Sequence, residues 1–251
     1  MSALLLVALL VARQTNGVLR VGAIVVVVLT AYNVLNIENG RTGYLQVIAV
    51  NFIFVVLSFS RLRAAILAVA IAVAFCVAYL SLDQFNTRID QTLANVERSL
   101  VNDDHTSSAG TRLELYRGAI QIGAENPLGG VGVGDVVDEL ESRANSGQIR
   151  VHFDNVHSEF LNMLIAGGVP ALLLFSAFVS LIAWVGCQYR TVDRAVGDAL
   201  IGISAIIFVS ALFNSTIKDY GEKHALLIML SFLATKLLAF KTGSAEKVRS
   251  A

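Results

Sequence analysis

Six long apolar runs alternate with short polar turns along the chain, and one much longer polar stretch separates the third run from the fourth. A helix needs about 20 mostly apolar residues to cross a bilayer. We therefore predict an all-α, polytopic membrane bundle of six to seven spans. The six apolar runs lie at 18–36, 44–60, 64–82, 158–187, 196–217 and 224–240. A seventh, at 3–12, is too short to span alone, so we expect a missing N-terminal portion.

The long polar stretch at 83–157 contains two segments with helical spacing. Over 83–100, apolar residues recur every three or four positions, and the segment 107–127 has the same spacing after Ser and Thr capping candidates. We expect both to be amphipathic helices on the membrane surface or against the bundle. The apolar face expected for the second comprises Leu113, Tyr116, Ile120 and Gly123.

Composition supports the membrane interpretation and excludes other classes. Of 251 residues, 55% are hydrophobic and 15% are charged, whereas a soluble domain carries about a quarter charged residues. The net charge is zero, so the chain has no general basic field and we expect no nucleic-acid partner. Cys76 and Cys187 lie in apolar segments and indicate neither a disulfide framework nor a metal cluster.

Basic residues predict the orientation of the chain. They cluster near 61–63, near 190–194 and in the C-terminal tail, and such clusters favour the cytoplasmic side. Two predicted spans separate each cluster from the next, so all three clusters can lie on the cytoplasmic side. The 83–157 loop is therefore predicted outside the cytoplasm. The predicted regions are N-terminal membrane helices at 1–82, an extracytoplasmic loop with surface helices at 83–157, C-terminal membrane helices at 158–241 and a cytoplasmic tail at 242–251.

A glycine-rich turn, "NPLGGVGVGDVVDEL", follows the second surface segment. The spacing of Gly130, Gly132 and Gly134 does not complete a dinucleotide fingerprint, and the turn lacks both a preceding strand and a Walker lysine. Two interpretations stay open. The turn is either a tight connection between surface helices or a place where backbone amides approach an anion.

His157 stands where the loop enters the fourth apolar run, with Asp154 and His152 within a turn of it. A neutral imidazole accepts a proton from a hydroxyl at ordinary pH. Ionisable groups at membrane depth are costly, which favours a functional role. The alternatives are an interfacial anchor or a metal ligand. His152 and His157 are five positions apart rather than four, which argues against a metal.

Arg112 and Arg117 belong to the segment before the glycine-rich turn. Five helical positions correspond to about 140°, so these two arginines do not share a face, whereas Arg112 and Tyr116 do. A guanidinium matches phosphate oxygens in a bidentate manner, as a lipid-phosphate enzyme requires. The alternative is that both arginines are solvated or paired with Glu114 and Glu125.

Two stretches, "GTRLELYRGAIQIGAENPLGGVGVGD" and "NVHSEFLNMLIAGGVPALLLF", resemble the O-antigen ligase and O-antigen polymerase superfamily of bacterial envelope enzymes. "RTGYL" at 41–45 is similar to the arginine segment found upstream in that family. Family members usually have more spans, so the resemblance implies a chain shortened at its N-terminus. The positions that match the family pattern are Arg112, Tyr116, Pro127, Gly130, Gly132, His157, Ser158 and Gly168.

The resemblance implies glycosyl transfer in the bacterial inner membrane, with the large loop in the periplasm. The implied donor is a glycan on undecaprenyl pyrophosphate, and the acceptor is a sugar hydroxyl on lipid A core or on another glycan. No metal and no cofactor are implied. His157 would act as the base or orient the acceptor, and Arg112 and Arg41 would contact the pyrophosphate. Further substrate-binding candidates are Arg117, Tyr116 and Asp154.

Other functions remain open at the level of sequence. A ligase and a polymerase would share this site, and the spacing from Arg112 to Gly123 does not separate them. A transporter would carry ionisable residues and broken helices near the bilayer midplane. The spans almost lack such charges, and the plausible break, at Gly167–Gly168 and Pro170, lies near the outer surface. A remnant or sensor that keeps the fold without catalysis is the third alternative.

Overall fold

A computed structural model describes residues 2–36, 41–81, 83–101, 108–151, 154–215 and 223–236. Within the helices, some side chains, that of Arg41 among them, lie outside the described part. All regular structure in the described residues is helical, which confirms the predicted all-α class.

Except for α7, which was not predicted, the helices follow the predicted apolar runs and surface segments to within a few residues at each described end. Those of the first half are α1 (Ser2–Gln14), α2 (Gly17–Asn36), α3 (Arg41–Ser58), α4 (Arg61–Ser81) and α5 (Asp83–Val101). Those of the second half are α6 (Ser108–Glu125), α7 (Val136–Asn145), α8 (Glu159–Tyr189), α9 (Arg194–Phe213) and a helical segment at 223–236.

Two helices of the described part, α8 and α9, are long and apolar enough to cross a membrane. The larger predicted number of six to seven spans stays a prediction. Apolar side chains stand outward on the earlier helices as well, for example Val18 of α2 at 88% exposure and Leu80 of α4 at 79%. A protein in water rarely exposes extended apolar surface, so these faces suit a lipid environment.

The chain divides into two compact units. Unit 1 comprises 1–57, 178–210 and 216–251, and unit 2 comprises 58–177 and 211–215. Helices α8 and α9 therefore contribute to both units. The predicted division into membrane helices, a surface loop and a tail follows the chain rather than these packing units, and it stays a prediction.

Small residues allow the helices of unit 1 to approach closely. Gly186 of α8 faces Gly197 of α9, and a Cβ added at either glycine would lie within 2.9 Å of the other's carbonyl oxygen. A Cβ at Gly202 would lie 2.6 Å from the methyl groups of Leu6, which is fully buried in α1. Membrane helices use small residues in this way, because backbones can then pack with little side chain between them.

Asp198 of α9 is fully buried in unit 1 and is surrounded by arginines. Arg13 Nη2 donates to Asp198 Oδ2 at 2.5 Å, and Arg194 Nε lies 3.7 Å from the same oxygen. Arg190 Nε is 2.7 Å from Asp198 Oδ1 without hydrogen-bond alignment, so this contact is electrostatic. Arg190 and Arg194 also donate to the Leu57 carbonyl, at 3.0 and 2.8 Å.

This cluster modifies the expectation of spans that are almost free of charge. Asp198 lies inside the predicted span 196–217, but it is compensated by the arginines of the polar turn that precedes it. Burying an isolated carboxylate is very costly unless it is paired. The Arg194–Asp198 spacing of four residues was the sequence signal available for it.

In unit 2, the core lies between α6, α7 and the first half of α8. Its buried members are Leu115, Ala119, Ile122, Val136, Leu140, Ile149, Val156 and Ile165. The apolar face predicted for α6 was wrong in part, because Ile120 is 57% exposed whereas Leu115, Ala119 and Ile122 are fully buried. Apolar residues occur on both sides of α6, so spacing alone does not single out the buried side.

The glycine-rich turn between α6 and α7 packs on a break in α8. Gly167 and Gly168 leave helical geometry there, and Gly168 has a φ of 67°. The Pro127 carbonyl accepts a hydrogen bond from Val169 N at 2.7 Å. A Cβ at Gly168 would lie 2.4 Å from that same carbonyl oxygen, so only glycine fits without displacement.

Backbone amides of the turn are used in the same contact. Val131 N donates to the Ile165 carbonyl at 2.8 Å, and Gly132 N donates to the Ala166 carbonyl at 3.0 Å. These two amides therefore satisfy carbonyls at the helix break instead of facing an anion. The geometry supports the tight-turn interpretation of the glycines over the anion-binding one.

Candidate functional site

His157 lies immediately before α8, in a backbone conformation that few residues adopt. Its φ is 53°, the one positive value at a non-glycine residue in the described part of the chain. This left-handed region is sparsely populated for residues with a side chain. The His157 amide donates to Asn155 Oδ1 at 2.9 Å, and the His157 carbonyl accepts from the Tyr116 hydroxyl at 3.2 Å. Both backbone groups of the histidine are thus held.

The surroundings of His157 favour its neutral form. Burial lowers the pKa of the imidazole, and the positive charge of Arg112 lowers it further. The carboxylate of Asp154 acts in the opposite direction but does not reverse the net effect. An imidazole whose pKa is depressed stays unprotonated at neutral pH and can accept a proton.

Arg112 occupies the half-buried side of α6, one turn before Tyr116. Its charge acts on both Tyr116 and His157, which brings the predicted arginine and the predicted base into one electrostatic environment. Within the described residues, the Arg112 guanidinium takes part in no hydrogen bond or ion pair. Its charge is therefore not neutralised by a described carboxylate.

The carboxylates considered as partners for this arginine are engaged elsewhere. Glu125 accepts two hydrogen bonds from Arg143, at 3.2 and 2.5 Å, and Arg143 holds the pKa of Glu125 below its usual range. Glu114 accepts from the backbone amide of Arg150 at 3.3 Å. The alternative in which Glu114 or Glu125 neutralises Arg112 is not what the structure shows.

Tyr116 is anchored to backbone carbonyls. Its hydroxyl lies 3.2 Å from the His157 carbonyl oxygen and 3.3 Å from that of Leu212 at the end of α9. One proton is shared between the two acceptors. Burial raises the pKa of Tyr116, which keeps the phenol protonated and able to donate. The side chain joins α6 to the histidine loop, and the substrate contact predicted for it stays a prediction.

Of the remaining predicted site residues, the structure describes Arg117 and Asp154 but not His152 or the side chain of Arg41. Arg117 is exposed on α6. Asp154 is also exposed and accepts from Asn155 Nδ2 at 3.0 Å. His152 and the side chain of Arg41 lie outside the described residues. Arg41, moreover, belongs to unit 1 and His157 to unit 2.

A set of amides and hydroxyls, of which only Ser158 was singled out from the sequence, holds the histidine loop. Asn162 of α8 donates through Nδ2 to Ser215 Oγ at 2.9 Å, and Ser215 Oγ lies 3.0 Å from Asn155 Oδ1. Ser158 Oγ donates to the Ala211 carbonyl at 3.2 Å. Asn155 stands two residues before His157, a spacing typical of side-chain-to-backbone turns, whereas the distant Ser215 left no local signal.

Among the described residues, which do not include His152, no group of three His, Cys, Asp or Glu side chains is placed to hold a metal ion. The nearby acidic group, Asp154, is exposed and contacts Asn155. The arrangement suits acid–base and electrostatic chemistry, because the charge of a guanidinium with no described partner acts on an imidazole whose pKa is lowered.

Comparison with protein families decides the class. The family model described as O-antigen ligase matches residues 25–176, which is more than half of the chain. The chain belongs to the O-antigen ligase family. Comparison with curated proteins gives no match. The matched range of the O-antigen ligase family includes Arg112, Tyr116, the glycine-rich turn, His157 and the break in α8.

Membership confirms the resemblance drawn from the sequence. The O-antigen ligase family consists of membrane glycosyltransferases, ligases and polymerases alike, which act in polysaccharide biosynthesis. Its substrates are glycans and lipid-linked glycans. The apolar helices and the outward apolar side chains of this chain agree with a membrane location.

Proposed function

We propose that this O-antigen ligase family member transfers a glycan from undecaprenyl pyrophosphate to a sugar hydroxyl. The acceptor is a sugar of lipid A core in the ligase version and the end of another glycan in the polymerase version. The reaction takes place on the periplasmic side of the bacterial inner membrane, where the predicted topology puts the loop 83–157. It requires no metal and no cofactor.

The proposed reaction divides between two residues. The acceptor oxygen attacks the anomeric carbon of the donor glycan, and a new glycosidic bond forms as the bond from that carbon to the pyrophosphate oxygen breaks. His157 takes the hydroxyl proton. Arg112 stabilises the negative charge that accumulates on the departing polyprenyl pyrophosphate. The products are the elongated or attached glycan, the pyrophosphate carrier and a protonated imidazole that later releases its proton.

The observation that carries this proposal is that the charge of Arg112 acts on the imidazole of His157. The Arg112 cation contributes to the lowered pKa of His157, so the two groups are electrostatically coupled. A base must be neutral to accept a proton, and a leaving pyrophosphate needs a cation that is not already neutralised. Among the described residues, His157 before α8 and Arg112 of α6 meet these two requirements.

The other predicted residues take secondary roles in the proposal. The exposed Arg117 would contact more distal parts of the donor, and the pyrophosphate contact predicted for Arg41 from the sequence stays a prediction. Tyr116 would contribute through the position of the His157 carbonyl as well as through any substrate contact. Asp154 would stabilise the imidazolium formed when the acceptor proton is transferred, because its charge favours the protonated form.

A transport function receives less support. A transporter would use the broken helix to coordinate a substrate or ion with its freed backbone groups. At the break in α8, the carbonyls of Ile165 and Ala166 and the amide of Val169 are instead paired with the glycine-rich turn. Protein backbone satisfies these groups, as it must where a helix is interrupted in a membrane protein.

The test is a transfer assay with the purified chain in lipid vesicles, an oligosaccharide on undecaprenyl pyrophosphate as donor, and separate lipid A core and glycan acceptors. Removing a general base costs about 10²- to 10⁴-fold in rate, so His157→Ala should lose at least that lower factor. The acceptor that becomes labelled distinguishes a ligase from a polymerase. His224→Ala, which removes an exposed histidine of the segment 223–236, is the matched control and should keep the wild-type rate.

Two results would reject the proposal. One is a His157→Ala protein that transfers glycan as fast as the wild type to either acceptor. The other is wild-type protein, shown to be folded and inserted, that transfers nothing to either acceptor while a vesicle-uptake assay shows movement of the lipid-linked donor across the bilayer.

A further inference from the structure

The amide of Asn155 joins His157 to a buried polar chain within unit 2. Asn155 Oδ1 accepts from the His157 amide at 2.9 Å and lies 3.0 Å from Ser215 Oγ. Ser215 Oγ in turn accepts from Asn162 Nδ2 at 2.9 Å, and Asn162 Oδ1 accepts from the Val156 amide at 3.4 Å. Val156, Asn162 and Ser215 are all buried. The bonds form a closed ring around the residues that precede α8.

The direction of each bond in the ring is fixed by chemistry. A backbone amide can only donate, so the oxygen of Asn155 must face His157 and the oxygen of Asn162 must face Val156. The nitrogen of Asn162 is then left to donate to Ser215, whose single hydroxyl proton goes to Asn155. Exchanging O and N in either side-chain amide would break a bond to the backbone. The ring therefore has one consistent arrangement.

The ring holds the backbone of His157 in a conformation that a histidine does not prefer on its own. A φ of 53° is unfavourable for a histidine and persists only where surrounding contacts determine it. The His157 amide donates to the nearby Asn155 side chain, and the His157 carbonyl accepts from Tyr116 of α6. Ser215 connects Asn155 with the residues that follow α9. Loss of the Asn155 acceptor would let the loop relax to an ordinary φ and turn the imidazole.

We infer that Asn155 is a positioning residue: its Oδ1, oriented by Ser215 and Asn162, fixes the left-handed backbone of His157 and thereby aims the imidazole at the acceptor. The inference rests on the proposed function of His157 as base. Asn155 itself touches no reacting atom in this role. Its effect passes through the histidine, and this separates it from a residue that binds the donor.

The experiment compares Asn155→Ala with Asn155→Asp in the vesicle transfer assay, at alkaline pH where the imidazole is neutral in every variant. Both are made in an Asp154→Asn background, because Asn155 Nδ2 donates to Asp154 Oδ1 at 3.0 Å and a carboxylate at position 155 would face that of Asp154. The aspartate keeps an oxygen that accepts from both His157 and Ser215, whereas alanine removes it. A misplaced catalytic group or lost supporting contact costs about 10- to 100-fold. We expect Asn155→Ala to lose kcat by such a factor, and Asn155→Asp to recover most of it.

Donor affinity supplies the readout that a general structural defect would change. Arg112 remains in place in both variants, so the KM for the lipid-linked donor should stay near the wild-type value. Ser215→Ala should lose less than Asn155→Ala, because the His157–Asn155 bond survives, and Ser215→Thr, which keeps the hydroxyl, should lose less again. Thermal unfolding of each purified variant verifies that the compared proteins are folded.

The outcomes separate this inference from the proposed function. If His157→Ala inactivates the protein and Asn155→Ala keeps its full kcat, the positioning role is wrong and the base assignment survives. If both Asn155 variants lose kcat equally and weaken donor binding together, the amide supports the fold or the donor instead. If His157→Ala retains full activity, the proposed function itself has failed.

Discussion

Arginines occur in two contrasting settings in this molecule. In unit 1, Arg13, Arg190 and Arg194 gather around one buried carboxylate, that of Asp198. In unit 2, the charge of Arg112 acts on His157, and no described carboxylate pairs with Arg112. Arginine side chains thus compensate a buried acid in unit 1, whereas an arginine in unit 2 lowers the pKa of an imidazole.

The contrast explains why counting arginines does not locate a site. A guanidinium paired with a carboxylate contributes mainly to the fold, whereas one without a protein anion can bind an anionic ligand. Arg143 of unit 2 belongs to the first group, since it pairs with both Glu125 and Glu139. Its substitution and that of Arg112 should therefore change different properties of the protein.

The largest effect on stability is expected at Asp198. Asp198→Ala leaves three arginines around a site without its anion, and breaking a buried ion pair from one side costs about 3–5 kcal/mol. Asp193 offers a comparison just before the same helix, because its carboxylate accepts from the amides of Ala195 and Val196 as a helix cap. Asp193→Ala should cost about 1 kcal/mol. Unfolding of both variants in detergent measures the difference, and equal losses would mean that the cluster is not stabilising.

Arg112→Ala should strongly reduce activity with little effect on stability. Losing one preorganised group that stabilises developing charge costs about 10²- to 10³-fold in rate, or about 2.7–4 kcal/mol. The matched control is Arg98→Ala on α5, an exposed arginine that bonds its own helix at Ala94 and Asn95. The transfer assay and thermal unfolding are run together. A rate loss that follows a loss of folded protein would place Arg112 with the structural arginines.

An effect of intermediate size is expected at Gly130, in the turn that packs on α8. Its φ is 63°, and a Cβ there would lie 2.3 Å from the Ile165 carbonyl oxygen. Gly130→Ala should therefore destabilise the protein by about 1–3 kcal/mol. The neighbouring Gly129 has no atom within 4 Å of an added Cβ, so Gly129→Ala is its control. If the two variants unfold at the same temperature, the packing of this turn on the helix break is not as described.

The smallest effect expected is a shift of the pH profile. The pKa of His157 is lowered, so the acid limb of kcat/KM should lie below the usual imidazole range. Arg112→Gln removes one cause of the lowering, and the limb should move to higher pH. Asp154→Asn removes a charge that raises the pKa, and the limb should move to lower pH. Shifts in the same direction for both variants would contradict the described electrostatics.

The sequence predicted the helices well because each apolar run is long and bounded by charges. It predicted the buried face of α6 less well, since Ile120 and Leu115 are equally apolar and only packing in unit 2 separates them. Helix α7 was not foreseen. It begins within the glycine-rich segment, where turn residues dominate the local signal, although Asp138 and Glu139 suit its first turn.

In the site, too, the residues with a local sequence signal were predicted, whereas the contacts between distant segments were not. Arg112 and His157 were predicted from residue type, spacing and family resemblance, and the electrostatics of unit 2 connect them. The ring through Asn155, Asn162 and Ser215 depends on two segments that are 60 positions apart in sequence. No periodicity or short motif encodes such a contact. The compensation of Asp198 by Arg13, 185 positions away, was hidden for the same reason.

The most direct test of the pairing of Arg112 with His157 is NMR titration of the His157 imidazole in the ¹³C-histidine-labelled protein, with and without undecaprenyl pyrophosphate. The account predicts a lowered pKa in the free protein and a rise on binding, because the bound anion neutralises the Arg112 charge. In Arg112→Gln, the starting pKa should be higher and the response to the ligand weaker. An imidazole whose titration responds neither to the pyrophosphate lipid nor to the loss of Arg112 would contradict the account.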